Sequence, residues 1–141
     1  MATLEGIDHV GIAVADLAAA VEAYTRLCGG GPVHRSVIAA DGVEVVIFEA
    51  GAQRIELLGA RRADSAISRF LVRRGGGLHH VAYRVSDVQA ALDHYSWMGL
   101  RLIDTRPRPG AEGRLVAFLH PGAAEGVLSE LCQLTSGGVS P

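Results

Sequence analysis

The chain has little of what would assign it to several large protein classes. Its 141 residues include two cysteines, Cys28 and Cys132, far apart and without a Cys-x-x-Cys pair. A disulfide framework and a structural zinc cluster are therefore unsupported, and a reducing cytoplasm is the expected location. Net charge is only -2 and no basic stripe carries interleaved aromatics, so nucleic acid is not an expected partner. No apolar run is long enough to span a bilayer, and the opening Met1-Ala2-Thr3-Leu4-Glu5 lacks the basic and apolar regions of a signal peptide. A soluble chain with no membrane partner is expected.

What is present has an ordinary globular balance, 49% hydrophobic and 20% charged. The length suits one compact domain or two small modules sharing a core. Arginines gather at Arg61, Arg62, Arg69, Arg73 and Arg74, and again at Arg101, Arg106, Arg108 and Arg114. Most should be solvated, while a minority could grip an anionic ligand such as the phosphates of a nucleotide-bearing cofactor.

An internal repeat organises the chain. His9 to Tyr24 reads HVGIAVADLAAAVEAY and His80 to Tyr95 reads HVAYRVSDVQAALDHY, in register without a gap at an offset of 71 residues. Each copy opens with a valine- and isoleucine-rich strand, Ile7 to Val14 or Leu78 to Val85. An aspartate (Asp16, Asp87) follows at a helix N-cap position, where its carboxylate can accept an orphan backbone N–H. Leu17, Ala20, Val21 and Tyr24 then fall at helical spacing, as do Val88, Ala91, Leu92 and Tyr95. Glycine follows both helices, at Gly29-Gly30-Gly31 and at Gly99.

Strand-like runs come next, Gly31 to Ile38, Val43 to Glu49 and Gln53 to Leu58 in the first half. In the second they are Leu100 to Asp104, Leu115 to Leu119 and Gly126 to Leu134. A connector from Gly59 to Gly77 places Ile67, Phe70 and Leu71 at helical spacing behind Asp64 or Ser65 as cap. The expected fold is α+β: one domain over residues 1–141 made of two paired βαβββ modules, residues 5–58 and 78–135, with a linker helix over 59–77. Paired, the modules form a curved, partly open mixed β-barrel around a metal site.

His9 and His80 are equivalent in the repeat, and the last strand of each module carries one carboxylate among apolar residues, Glu56 and Glu130. A lone residue of this kind is usually structural or solvent-facing. Symmetric placement in a duplicated unit makes these four a candidate metal set. A divalent cation offsets the cost of burying carboxylates. Two imidazoles with two carboxylates suit a first-row ion and leave positions for substrate or water. His79 should face the other side of its strand. His34, His94 and His120 have no convergent partner in sequence and read as surface or turn residues.

These same residues carry a resemblance that covers nearly the whole chain. Ile7 to Val14, Ile55-Glu56-Leu57-Leu58, Asp64-Ser65 with Ile67 and Phe70, and Gly77 to Ala82 resemble segments of the methylmalonyl-CoA epimerases of the vicinal oxygen chelate superfamily. So do Arg106-Pro107-Arg108, Gly110-Ala111, Phe118 to Pro121 and Gly126 to Leu131. The resemblance implies a divalent metal held by His9, Glu56, His80 and Glu130, cobalt before manganese, nickel or zinc. It implies a homodimer, an acyl-CoA substrate, and interconversion of (R)- and (S)-methylmalonyl-CoA at C2 through a metal-stabilised enolate. Glu130 is the expected catalytic participant, alongside a second acid or base.

Some members of the family carry a catalytic glutamate where this chain has Val45; Glu44 is displaced by one residue, hence to the opposite face, and is the remaining candidate. Pro109 and Glu112 also depart from the pattern, in a loop expected near the acyl-CoA. Two alternatives stand beside this reading. One is a glyoxalase I-like lyase or another metalloenzyme of the superfamily, against which the Gly110-Ala111 and His120-Pro121 segments argue. The other is a metal-free ligand-sequestering protein of the same fold, against which the intact set of four argues.

Overall fold

The computed structural model describes residues 4–135. They divide into two compact units, one running from His9 to His79, the other formed by the residues up to Asp8 together with those from His80 onward.

Strand β1 (Gly6–Ala13) enters the first unit at His9 and is followed by α1 (Leu17–Cys28), β2 (His34–Ile38), β3 (Val43–Ala50), β4 (Gln53–Ala60) and α2 (Ala66–Arg74). The strand order is β2-β3-β4-β1, antiparallel except for the parallel β1–β4 pair. Strand β5 (Gly77–Arg84) enters the second unit at His80, followed by α3 (Val88–Trp97), β6 (Arg108–Pro109), β7 (Leu115–Leu119) and β8 (Ser129–Gln133). Its order is β5-β8-β7-β6, again with one parallel pair, β5–β8. Both units are thus βαβββ with mixed sheets, the α+β class expected. No helix among the described residues is long and apolar enough to cross a membrane.

The helix ends follow the sequence signals. Asp16 accepts from the Ala19 N–H and Asp87 from the Ala90 N–H, both at 3.0 Å, satisfying donors that the first turn leaves without a partner. Of the two candidates before α2, Ser65 is the cap, accepting from the Ser68 N–H. Gly29 ends α1 in the left-handed region, φ 76°, and donates to Thr25.

The strand expectations need three corrections. Leu100 to Asp104 is not a regular strand; only Leu102 bridges, to Leu119. The Asp104 carboxylate takes the Phe118 N–H at 2.8 Å, while the Phe118 carbonyl receives both the Ile103 and Asp104 N–H groups. A side chain so occupies the ladder and turns the chain away. The outer strand forms later, as the two-residue β6, where Pro107 and Pro109 lack N–H donors and limit its length. Strand β2 starts at His34, behind Gly30-Gly31-Pro32, rather than at Gly31. Strand β8 starts at Ser129 rather than Gly126, because Gly126 and Val127 donate back to Pro121 and Ala124 to close a 3-10 turn.

Helices α1 and α3 each cover one face of their own sheet. Val46, Phe48 and Leu57 form the buried centre of the first unit, with Ile12, Val14, Leu17, Val21 and Tyr24 packed against them. Val85, Val88, Ala91, Leu92, Ala117, Leu119 and Leu131 form that of the second. Tyr95 borders this second cluster, and burial pushes its phenol above the ordinary range. The opposite faces of the two sheets are left for chemistry.

Candidate functional site

Each unit builds the same pair of side chains by the same register. In the first, β1 and β4 run parallel with Gly11 opposite Glu56. In the second, β5 and β8 run parallel with Ala82 opposite Glu130. The carboxylate therefore faces a residue two places beyond the histidine, and positions two apart share a face. His9 Nε2 lies 3.3 Å from a Glu56 carboxylate oxygen. His80 Nε2 lies 3.9 Å from one of Glu130. All four residues are buried, at 2% exposure for His9, 5% for His80 and 7% for each glutamate.

The helices stand on the reverse faces. Val46, Leu57, Ala117 and Leu131, each one residue out of phase with the site, pack under α1 and α3. The neighbouring His79 sets its ring edge-on against Phe70 of α2 at 4.9 Å, whereas His80 meets Phe118 at 5.4 Å. The alternation that separates His79 from His80 therefore holds. The Arg108 guanidinium lies 5.5 Å from the same Phe118 ring and pairs with Asp104. Beside it, Gly110 is required by space, since a Cβ there would stand 2.8 Å from a Val116 methyl.

Two imidazoles and two carboxylates, all buried, offer N and O donors to a hard or borderline divalent ion. A buried carboxylate turned toward an imidazole also gains from a cation that binds both. The donors of each pair thus suit a metal in type and in burial.

Glu44 is placed elsewhere. It lies one residue out of phase with Val45 and pairs with Arg35 at 3.0 Å and Arg61 at 3.6 Å, on the face away from Glu56. His120 is a turn residue, its Nδ1 accepting from the Gly122 N–H. His94 stacks with Trp97 on α3. His34 departs from the expectation of a surface or turn residue. It stands in β2 directly across from Ile47, which stands across from Glu56. Opposed residues share a face, so His34 belongs to the face of Glu56, and its Nε2 is buried without a hydrogen-bond partner among the described residues. The alternation His34, Ser36, Ile38 was the available signal, but only the β2–β3 register says which face it serves.

Sequence reasoning also missed Asp8. It is 1% exposed and ion-paired to Arg114, itself buried, and to Arg84 at 2.9 Å. Cys132 Sγ completes the cluster 3.9 Å from the Asp8 carboxylate.

The family model of the Glyoxalase/Bleomycin resistance protein/Dioxygenase superfamily matches residues 8–118. An ethylmalonyl-CoA/methylmalonyl-CoA epimerase of Cereibacter sphaeroides is 38% identical over 133 residues, covering 91% of this chain and 97% of that one. The human mitochondrial methylmalonyl-CoA epimerase is 35% identical over 128 residues, covering 90% and 73%. Among solved structures, a Streptomyces coelicolor methylmalonyl-CoA epimerase variant in complex with 2-nitronate-propionyl-CoA is 36% identical with a TM-score of 0.91, covering 95% and 97%. A methylmalonyl-CoA epimerase in complex with methylmalonyl-CoA and NH4+ has the same identity and TM-score and covers 99% and 100%.

Proposed function

The chain belongs to the Glyoxalase/Bleomycin resistance protein/Dioxygenase superfamily, and from that premise we propose that it is an acyl-CoA epimerase that interconverts (R)- and (S)-methylmalonyl-CoA. The observation that carries the reading is the twinned His–Glu pair, His9 with Glu56 and His80 with Glu130, set by equivalent registers in two repeated units. Relatives named as methylmalonyl-CoA epimerases, similar over nine-tenths of this chain, support the substrate class.

In this reading residues 1–141 act as one domain whose two modules bring all four side chains to one divalent cation, with a homodimer as the working form. Cobalt is the ion to test first, then manganese, nickel and zinc, since imidazole and carboxylate donors accept each of them. The bound ion would supply positive charge to the carboxylate and thioester oxygens that flank C2, where negative charge develops as the proton leaves. The protein's part is to hold the acyl group with one C2 face toward Glu130, to keep water out, and to move a proton at that carbon. The apolar residues around the pairs, Val45, Ile47 and Ala82, are buried and supply the dry wall.

The test is deuterium uptake at C2 of methylmalonyl-CoA in D2O, followed by NMR with and without added Co2+. Metal-dependent uptake with loss of stereochemical purity is the expected result. Metal-loaded protein that exchanges nothing would remove the epimerase reading and turn attention to hemithioacetals and other chelating substrates.

A further inference from the structure

Inversion at C2 needs proton carriers on both faces of the carbon, and Glu130 accounts for only one. The remaining carrier must lie on the face of the sheet that holds the His–Glu pair, offer a nitrogen or oxygen not already committed to a neighbour, and stand apart from the four donors. Glu44 fails the first condition and is held by Arg35 and Arg61. Val45, on the correct face, has no titratable group.

We propose that His34 is the second proton carrier, its Nε2 exchanging a proton with C2 on the face opposite Glu130. This deepens the epimerase reading and rests on it. His34, Ile47 and Glu56 lie in one row across β2, β3 and β4. Neighbouring strands stand about 4.8 Å apart, so the His34 and Glu56 backbones are roughly 10 Å apart. That span accommodates two inward side chains with a small acyl group between them. The Nε2 atom is buried and makes no hydrogen bond among the described residues, a condition that native proteins avoid unless a ligand or function uses the atom. The next position on the same face repeats the signature, for Ser36 stands directly across from Val45 and its hydroxyl is likewise buried and unpartnered. Two orphaned polar atoms in succession mark a strip of β2 built to face a polar guest.

The step balances without any further reactant. The C2–H bond breaks, its proton forms an N–H bond at Nε2 of a neutral imidazole, and the electron pair enters the enolate. Protonated Glu130 then gives its proton to the other face of C2, and the enolate pair becomes the new C–H bond. One proton is taken and one returned, and the reverse direction starts from imidazolium and carboxylate.

Single-base and two-base removal leave different isotopic records. The metal-loaded wild-type protein, given each pure epimer of methylmalonyl-CoA in D2O, should exchange and interconvert both. In His34→Gln, interconversion should fall by about 1000-fold. One epimer, whose C2 proton faces Glu130, should still take up deuterium with retention at a rate within about 10-fold of wild type. The other should exchange no faster than its interconversion. His34→Asn, run in parallel, should behave alike, both variants having first been shown to keep the wild-type thermal midpoint and Co2+ stoichiometry. Interconversion within about 3-fold of wild type, or equal loss of exchange from both epimers in folded, metal-loaded variants, would overturn the assignment. Wild-type protein inert toward both epimers would instead bring down the epimerase reading beneath it.

Discussion

The two units share a framework and differ in what they bury at its far end. Ala13, Val43 and Leu58 of the first correspond to Arg84, Arg114 and Cys132 of the second. Equivalent hydrogen bonds confirm the match, since the Val14 N–H donates to Leu58 where the Val85 N–H donates to Cys132. The first unit closes this end with apolar side chains, all 5% exposed or less. The second closes it with Arg114 and Arg84 around Asp8, which β1 delivers one residue before His9 enters the other unit. Apolar packing is non-directional, whereas a buried ion pair admits few geometries. The ionic end thus ties the start of β1 to one register, and the next residue along is a candidate metal ligand.

This contrast predicts the largest effect. Asp8→Ala leaves the Arg114 guanidinium buried without its carboxylate and should cost about 3–5 kcal/mol in urea unfolding. Converting the ionic end toward the apolar one, as Asp8→Ala with Arg114→Val, should recover most of that loss, because Arg84 is 39% exposed along its side chain and can turn to water. A double variant no more stable than Asp8→Ala would show that the pair is worth more than the apolar packing it replaces.

The helices differ in the same sense. Helix α3 buries Val88, Ala91 and Leu92 outright, while α1 has no fully buried residue though it presents Leu17, Ala20 and Val21 at the matching positions. Leu92→Ala should therefore cost about 3 kcal/mol and Val21→Ala about 1 kcal/mol, measured by the same unfolding titration. Equal costs would mean that α1 is covered in solution by something other than its own sheet.

At the site itself the units should behave alike. If one ion draws on both pairs, His9→Ala and His80→Ala should weaken Co2+ binding by comparable factors, each at least about 100-fold, or about 2.7 kcal/mol. Calorimetric or absorption titration of the metal-free protein would read this directly. A silent variant in one unit would mean that the other pair holds the ion alone.

How much of this was legible beforehand follows from which interactions are local. The repeat gave both first strands, both N-caps and the equivalence of His9 with His80, because those depend on residues close in sequence. Glu56 and Glu130 were found although they are 74 residues apart rather than 71. The alternation of apolar neighbours marked them, but the three extra residues lie between β7 and β8, where no pattern announces them. Strand β6 was misplaced because the Asp104 side chain, rather than any propensity, ends the preceding ladder. Asp8 and His34 were passed over for a common reason. What makes each notable is a partner, or the lack of one, supplied by strands elsewhere in the chain, and a single-sequence reading sees neither.

Those three extra residues also set the smallest test. The first unit joins β3 to β4 through Gly51-Ala52, with Gly51 at φ 65°. The second joins β7 to β8 through the longer 3-10 turn, where Glu125, not glycine, holds φ 55°. A residue with a Cβ costs about 1–2 kcal/mol in the left-handed region, and glycine returns part of any gain through its larger unfolded-state entropy, about 0.5–1 kcal/mol. Glu125→Gly should therefore stabilise the protein by about 0.5 kcal/mol, and Gly51→Ala should destabilise it by about 1 kcal/mol. Thermal unfolding should show midpoints moving in opposite directions, by about 2 °C up and about 3 °C down. If Glu125→Gly instead lowers the midpoint, the Glu125 side chain contributes more than the strain it imposes, and the turn would be held by that carboxylate as well as by the Gly126-to-Pro121 hydrogen bond.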